Sequence, residues 1–130
     1  MRGDEGYWWR QGEAMELEDK QRIIQEFVPG KQVTLAHVIA NPDAQLFGKI
    51  GVRDISSTAL GILTITPSEA AIIAADVATK TADVQVAFID RFSGAVVMHG
   101  ALADCESAIR NVVDVLAGTL GFTPATVTRT

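Results

Sequence analysis

Two histidines, one cysteine and an adjacent acid–base pair are the residues of this chain whose types could do chemistry. His37 and His99 lie on separate predicted strands, and neither has a sequence neighbour that would complete a metal site or activate a nucleophile. Hydrogen bonding or packing at a strand edge is the role we expect of both. Asp90 and Arg91 could serve as an acid and an electrostatic stabiliser. In a charged hairpin loop the same pair serves turn chemistry, subunit contact or solubility. Cys105, the single cysteine, cannot form an internal disulfide and falls on the apolar face of a predicted helix, where a thiol acts as a small hydrophobe. Asp19 and Glu26, interleaved with Lys20 and Arg22, read as a solvated charge pattern and not as a metal cluster. The sequence contains no GxGxxG, P-loop, GxSxG, HExxH or paired CxxC motif. We therefore expect no catalytic residue, no metal and no cofactor.

The elements that would position these residues follow from periodicity. Ile23, Ile24, Gln25, Glu26, Phe27 and Val28 form a short β-prone run that Pro29-Gly30 ends, a strand without an obvious hairpin partner. Gln32–Ala40 alternates as a strand with a buried face. Asn41-Pro42 breaks it, and Asp43 can cap a short helix through Lys49 with Leu46, Phe47 and Ile50 at helical spacing. A strand over Thr58–Thr66 leads into Thr66-Pro67-Ser68-Glu69, which predicts an N-cap, N1 and N3 start for a helix to Lys80. Ala70, Ile73, Ala74, Val77 and Ala78 share one stripe of that helix. Strands over Asp83–Asp90 and Ala95–Ala101 are joined by the Arg91-Phe92-Ser93-Gly94 hairpin. A long helix from Leu102 to Leu120 places Leu102, Cys105, Ile109, Val112, Val113, Leu116 and Leu120 on one face, and Gly121 suits its C-terminal cap. The last residues can add one short extended piece. The pattern predicts an α+β fold: a largely antiparallel sheet with helices on one side.

At 130 residues the chain suffices for one core and not for two. A net charge of −5 argues against a nucleic-acid partner, because phosphate binding needs clustered Lys and Arg. No apolar run reaches the roughly 20 residues of a membrane span. Residues 1–20 lack the pattern of a secretory signal and read as a flexible extension before a strand segment (21–30) and the main domain (31–130). A cytoplasmic protein is expected. Trp8 and Trp9, adjacent in that extension, could anchor to a partner or a lipid interface. Packing on the protein's own assembly, or an extension under no selection, accounts for them at least as well.

Three blocks carry a family resemblance. RIIQEFVPGKQVTLAHVIA (22–40), LGILTITPSEAAIIAADVATKTADV (60–84) and FIDRFSGAVV (88–97) resemble, in order and spacing, the circularly permuted shell proteins of bacterial microcompartments, the EutS/PduU-like group of ethanolamine and propanediol utilisation. The resemblance covers roughly residues 21–130, and the closing Thr128-Arg129-Thr130 leans toward the propanediol type. It implies a ferredoxin-like-related BMC-domain fold in which the segment from Gln32 through the short helix has moved to the front of the chain. It further implies a cyclic homohexamer in the shell, with other shell proteins and the encapsulated, aldehyde-generating enzymes as partners. Six copies of the strand Ile23–Val28 would then close a small parallel β-barrel over the ring axis, leaving no unpaired edge. By similarity, Lys80, spaced helically from Asp76, matches a lysine at the hexamer rim. Asn41 falls where related subunits carry an edge arginine, and Arg91, Phe92, Ser93 and Gly94 match the loop at the axis.

Two other classes fit parts of the pattern. A regulatory domain on a ferredoxin-like sheet would bind a small molecule at a subunit interface and would not form sheets. A small enzyme would use interface residues such as Asp90, Arg91 and His99.

Overall fold

A computed structural model describes residues 30–130 of the chain. The extension over 1–20 with Trp8 and Trp9, and the barrel strand Ile23–Val28, lie outside the described residues.

Alternating strands and periodic helices follow one another in the predicted order: β1 (Gln32–Ala40), α1 (Ala44–Lys49), β2 (Ala59–Thr66), α2 (Ala70–Thr81), β3 (Val84–Asp90), β4 (Ala95–Gly100), α3 (Leu102–Leu120) and β5 (Thr128–Arg129). The five strands make one sheet in the order β3-β4-β2-β1-β5. All neighbours are antiparallel except β1 and β5, where His37 and Val38 pair in parallel with Thr128 and Arg129. The short extended piece expected at the end of the chain is thus an edge strand. Its approach is fixed by Thr123, whose N–H donates to the Lys31 carbonyl (2.9 Å) and whose carbonyl accepts from Val33 N–H (2.9 Å).

The core fills the space between the sheet and the α2–α3 pair. Val33, Ala36 and Val38 of β1, Leu63 and Ile65 of β2, and Val96 and Met98 of β4 meet the face of α3 that carries Cys105, Ala108, Ile109, Val112, Val113 and Leu116. Burying each of the larger side chains stabilises the fold by roughly 1.5–3 kcal/mol. Gly121 ends α3 at φ 75°, and its cap N–H donates to the Leu116 carbonyl, as the glycine predicts.

Three expectations change. The buried stripe of α2 is Ala70, Ala71, Ala74, Ala75 and Ala78, while Ile73 is exposed and Val77 half-buried. The helix packs against α3 and the sheet at once, and only alanine allows both approaches, so the isoleucines are turned outward. Its start is also later than predicted. Thr66 remains in β2, paired with Gln32, and the first turn is closed by tight i→i+3 bonds from Ala70, Ala71 and Ile72 N–H to the carbonyls of Pro67, Ser68 and Glu69. No side chain caps it. Finally, α1 is capped by Asp43, whose carboxylate accepts from Gln45 N–H at 2.8 Å, yet it buries none of its residues. Its apolar spacing is not spent on this chain's core.

Candidate assembly surfaces

The register sorts the predicted site residues onto two ends of the sheet. Ala40 and Gly100 flank Ala59, and Val84 pairs with Gly100, so Asn41, the α2–β3 turn and Lys80 just before it share one end. Gln32 pairs with Thr66, and both Asp90 and Thr64 pair with Ala95, so the 91–94 hairpin and the start of β1 share the other. The eight residues of β2 separate these ends by about 26 Å at 3.3 Å per residue.

At the hairpin end, Asp90 organises the turn. Its carboxylate accepts from Phe92 N–H (2.9 Å) and Ser93 N–H (3.3 Å), and its carbonyl accepts from Gly94 N–H (2.8 Å). The Phe92 bond, followed by those from Ser93, holds the Asp90 pKa below the usual aspartate value. Gly94 adopts φ 81°, and its carbonyl accepts from Ile65 N–H at 3.0 Å. The result is a firmly held loop that presents Phe92 with 83 % of its surface exposed. The Arg91 guanidinium lies 5.1 Å from the Phe92 ring centroid. Phe92 shares a shallow concavity with Ile72 of α2 and Ile89 of β3, two residues that sequence reasoning did not select. An isoleucine beside an alanine stripe, and another next to a hairpin acid, were the signals available.

At the other end, Lys80 and Asp76 form an i,i+4 ion pair at 3.0 Å with both side chains largely exposed. Such a pair contributes about 0.3–0.5 kcal/mol to the helix, so both groups are free to be used elsewhere. Asn41 takes φ 50° at the end of β1 and donates its N–H to the Thr58 carbonyl at 2.9 Å. It borders a cleft of about 430 Å³ between α1 and the 52–58 loop.

Both histidines hold strands together. His37 bridges Thr128 Oγ1 (2.6 Å) and Thr130 Oγ1 (2.9 Å), tying β5 to β1. Buried His99 bonds through Nδ1 to Ser57 Oγ at 2.7 Å, fastening the loop before β2 to β4. Ser57 was not anticipated, because the pair is joined only by the register. Asp90 and His99 occupy opposite ends of β4's pairing with β3, so one subunit does not assemble Asp90, Arg91 and His99 into a site. Cys105 is buried, and desolvation, reinforced by Asp104 and Glu106, pushes its thiol up to about 11. Among the described residues no cluster of His, Cys, Asp or Glu could hold a metal ion, and no helix is long and apolar enough to cross a membrane.

Comparison with known proteins places this arrangement. Residues 59–126 match the BMC domain. The chain is 56 % identical over 109 residues to the bacterial microcompartment shell protein PduU of Salmonella typhimurium, covering 84 % of this chain and 93 % of PduU. It is 53 % identical over 111 residues to the shell protein EutS of Escherichia coli, covering 85 % and 98 %. The solved flat hexamer of CutR superposes with a TM-score of 0.74 at 41 % identity, over 84 % of this chain and 99 % of that one. With these matches, the chain belongs to the BMC-domain family of bacterial microcompartment shell proteins.

Proposed function

We propose that this chain is a structural subunit that closes into a ring of six and tiles a microcompartment shell around aldehyde-generating enzymes, without an active site of its own. The observation that carries the reading is the match to a flat hexamer over 99 % of that relative's chain. Within the ring, the hairpin Arg91, Phe92, Ser93 and Gly94 is assigned to the axis, and Lys80, Asp76 and Asn41 to the rim. Their placement at opposite ends of one sheet supports that assignment, since a flat tile needs its axial loop and its edge contacts on opposite sides of each subunit. Neighbouring hexamers and other shell proteins are the partners at the rim. A cytoplasmic shell is the location that fits.

Two finer features belong to the same proposal. The first is circular permutation. The domain match starts at β2, yet β1, which precedes it in the chain, is the strand that joins β2 to β5. A strand outside the matched stretch but inside the sheet is what moving a terminal segment to the front would produce. The second is an axial β-barrel made by Ile23, Ile24, Gln25, Glu26, Phe27 and Val28 of six copies. The start of β1 at the hairpin end of the sheet, where Gln32 pairs with Thr66, supports that assignment. A barrel there would act as a plug or docking point over the loop.

The test is the solution mass by light scattering coupled to size exclusion. A ring of 13.9 kDa chains gives about 80 kDa. A stable monomer would end the shell reading and favour the regulatory domain.

A further inference from the structure

From the geometry of the hairpin we infer that Phe92 is a ring-closing residue rather than a solute-facing one: with Ile72 and Ile89 it forms the apolar surface on which the next copy of this chain docks. The inference rests on the ring proposed above and names one of its two contact surfaces.

Phe92 does not stand alone at a tip. It shares one concavity with Ile72 on α2 and Ile89 on β3, the flank of the subunit beside the hairpin. Ile72 is 53 % exposed, Ile89 41 % and Phe92 83 %. Each is a large apolar side chain held in water by rigid structure: a helix, a strand, and a loop fixed by Asp90 and by the close approach of Gly94 to Ile65. Rigid apolar patches of this kind mark interaction sites.

The patch has the anatomy of an interface centre. An aromatic and two branched aliphatics are bordered by the Asp90 carboxylate and the Arg91 guanidinium, which supply a polar rim. It also lies beside an open edge. β3 is the terminal strand of the sheet, and the register shift between Val86 and Phe88 discourages simple strand addition. Side-chain docking is left as the mode of contact.

A second copy is the occupant because ring closure demands it. A cyclic hexamer uses two different surfaces, one on each flank of every subunit, and the CutR chain that this one matches over 99 % of its length has been solved as such a hexamer. The flank carrying β3 must therefore meet a neighbour, and this patch is its apolar centre. Ser93 and Gly94 then remain as the hairpin residues available to the axis.

The test compares the full chain with Ile72→Glu/Ile89→Glu, with Phe92→Ser alone and with the rim variant Lys80→Ala, by light scattering and circular dichroism. Expected is a hexamer for the full chain and for Lys80→Ala, and a folded monomer for the double variant. Phe92→Ser should raise the concentration at which the ring dissociates by at least tenfold, and it decides the matter if the double variant is insoluble. A double variant that is still hexameric, or an unchanged dissociation concentration for Phe92→Ser, overturns the inference while leaving the ring intact. A full chain that is itself monomeric overturns the ring reading instead.

Discussion

A Cβ added to Gly94 would sit 2.1 Å from the carbonyl oxygen of Ile65, closer than any real side chain comes to backbone. The hairpin and the end of β2 are therefore locked together by the absence of a side chain. Since Gly94 also holds φ 81°, Gly94→Ala meets a left-handed backbone and a clash at once. We expect destabilisation by more than about 2 kcal/mol, read as a fall in the thermal midpoint. A midpoint like that of the unsubstituted chain would mean that the loop moves freely from β2.

The Asp90 carboxylate makes the same loop sensitive to acid. Its pKa is held below the usual value by the Phe92 and Ser93 N–H groups. A group whose folded pKa is lowered contributes stability that is present above its unfolded pKa and is lost as pH falls through the folded one. The Phe92 and Ser93 amide resonances should therefore shift together as pH is lowered through and below the aspartate range. Asp90→Asn should abolish that titration, and amides that titrate equally in the variant would assign it to another group.

Ser57→Ala leaves the buried His99 Nδ1 without its partner. The expected loss is about 1–3 kcal/mol, seen as a lower urea midpoint with an unchanged slope. Hexamer mass should not change, because this pair staples a loop to β4 within one subunit.

The thiol of Cys105 should be inert in the folded protein. With its pKa raised from 9.0 to about 11, the thiolate fraction falls about 100-fold before burial blocks access as well. Iodoacetamide at mildly alkaline pH should label it only after unfolding in urea. Rapid native labelling would place α3 away from the sheet.

Deleting residues 1–30 should leave a folded ring, because the first residue whose backbone holds the described fold together is Lys31, through Thr123. The truncated chain should elute as a hexamer of shortened subunits. Failure to fold would make the preceding segment part of the core.

The order and type of the elements are local properties, and they are legible in the sequence. Alternation over Gln32–Ala40 and helical spacing over Leu102–Leu120 each predict one element, and Gly121 and Asp43 act as the caps their residue types favour. The His37 role at a strand edge also follows from its place on a polar position of β1. The 91–94 hairpin is legible for the same reason, since a glycine-containing loop between two β-prone runs is a local signal.

What depends on residues distant in the chain was decided only by the tertiary structure. Periodicity shows that α2 has an apolar stripe but not which one is buried. The simultaneous approach of α3 and the sheet selects the alanines and expels Ile72 and Ile73. The Ser57–His99 bond spans 42 positions, and the neighbourhood of Ile72, Ile89 and Phe92 joins a helix, a strand and a turn. No local pattern encodes these meetings, because strand register and helix packing set them after the elements exist. The sequence by itself determined which pieces this protein is built from and the family it belongs to. Packing determined which surfaces those pieces leave free, and so where one copy can meet the next.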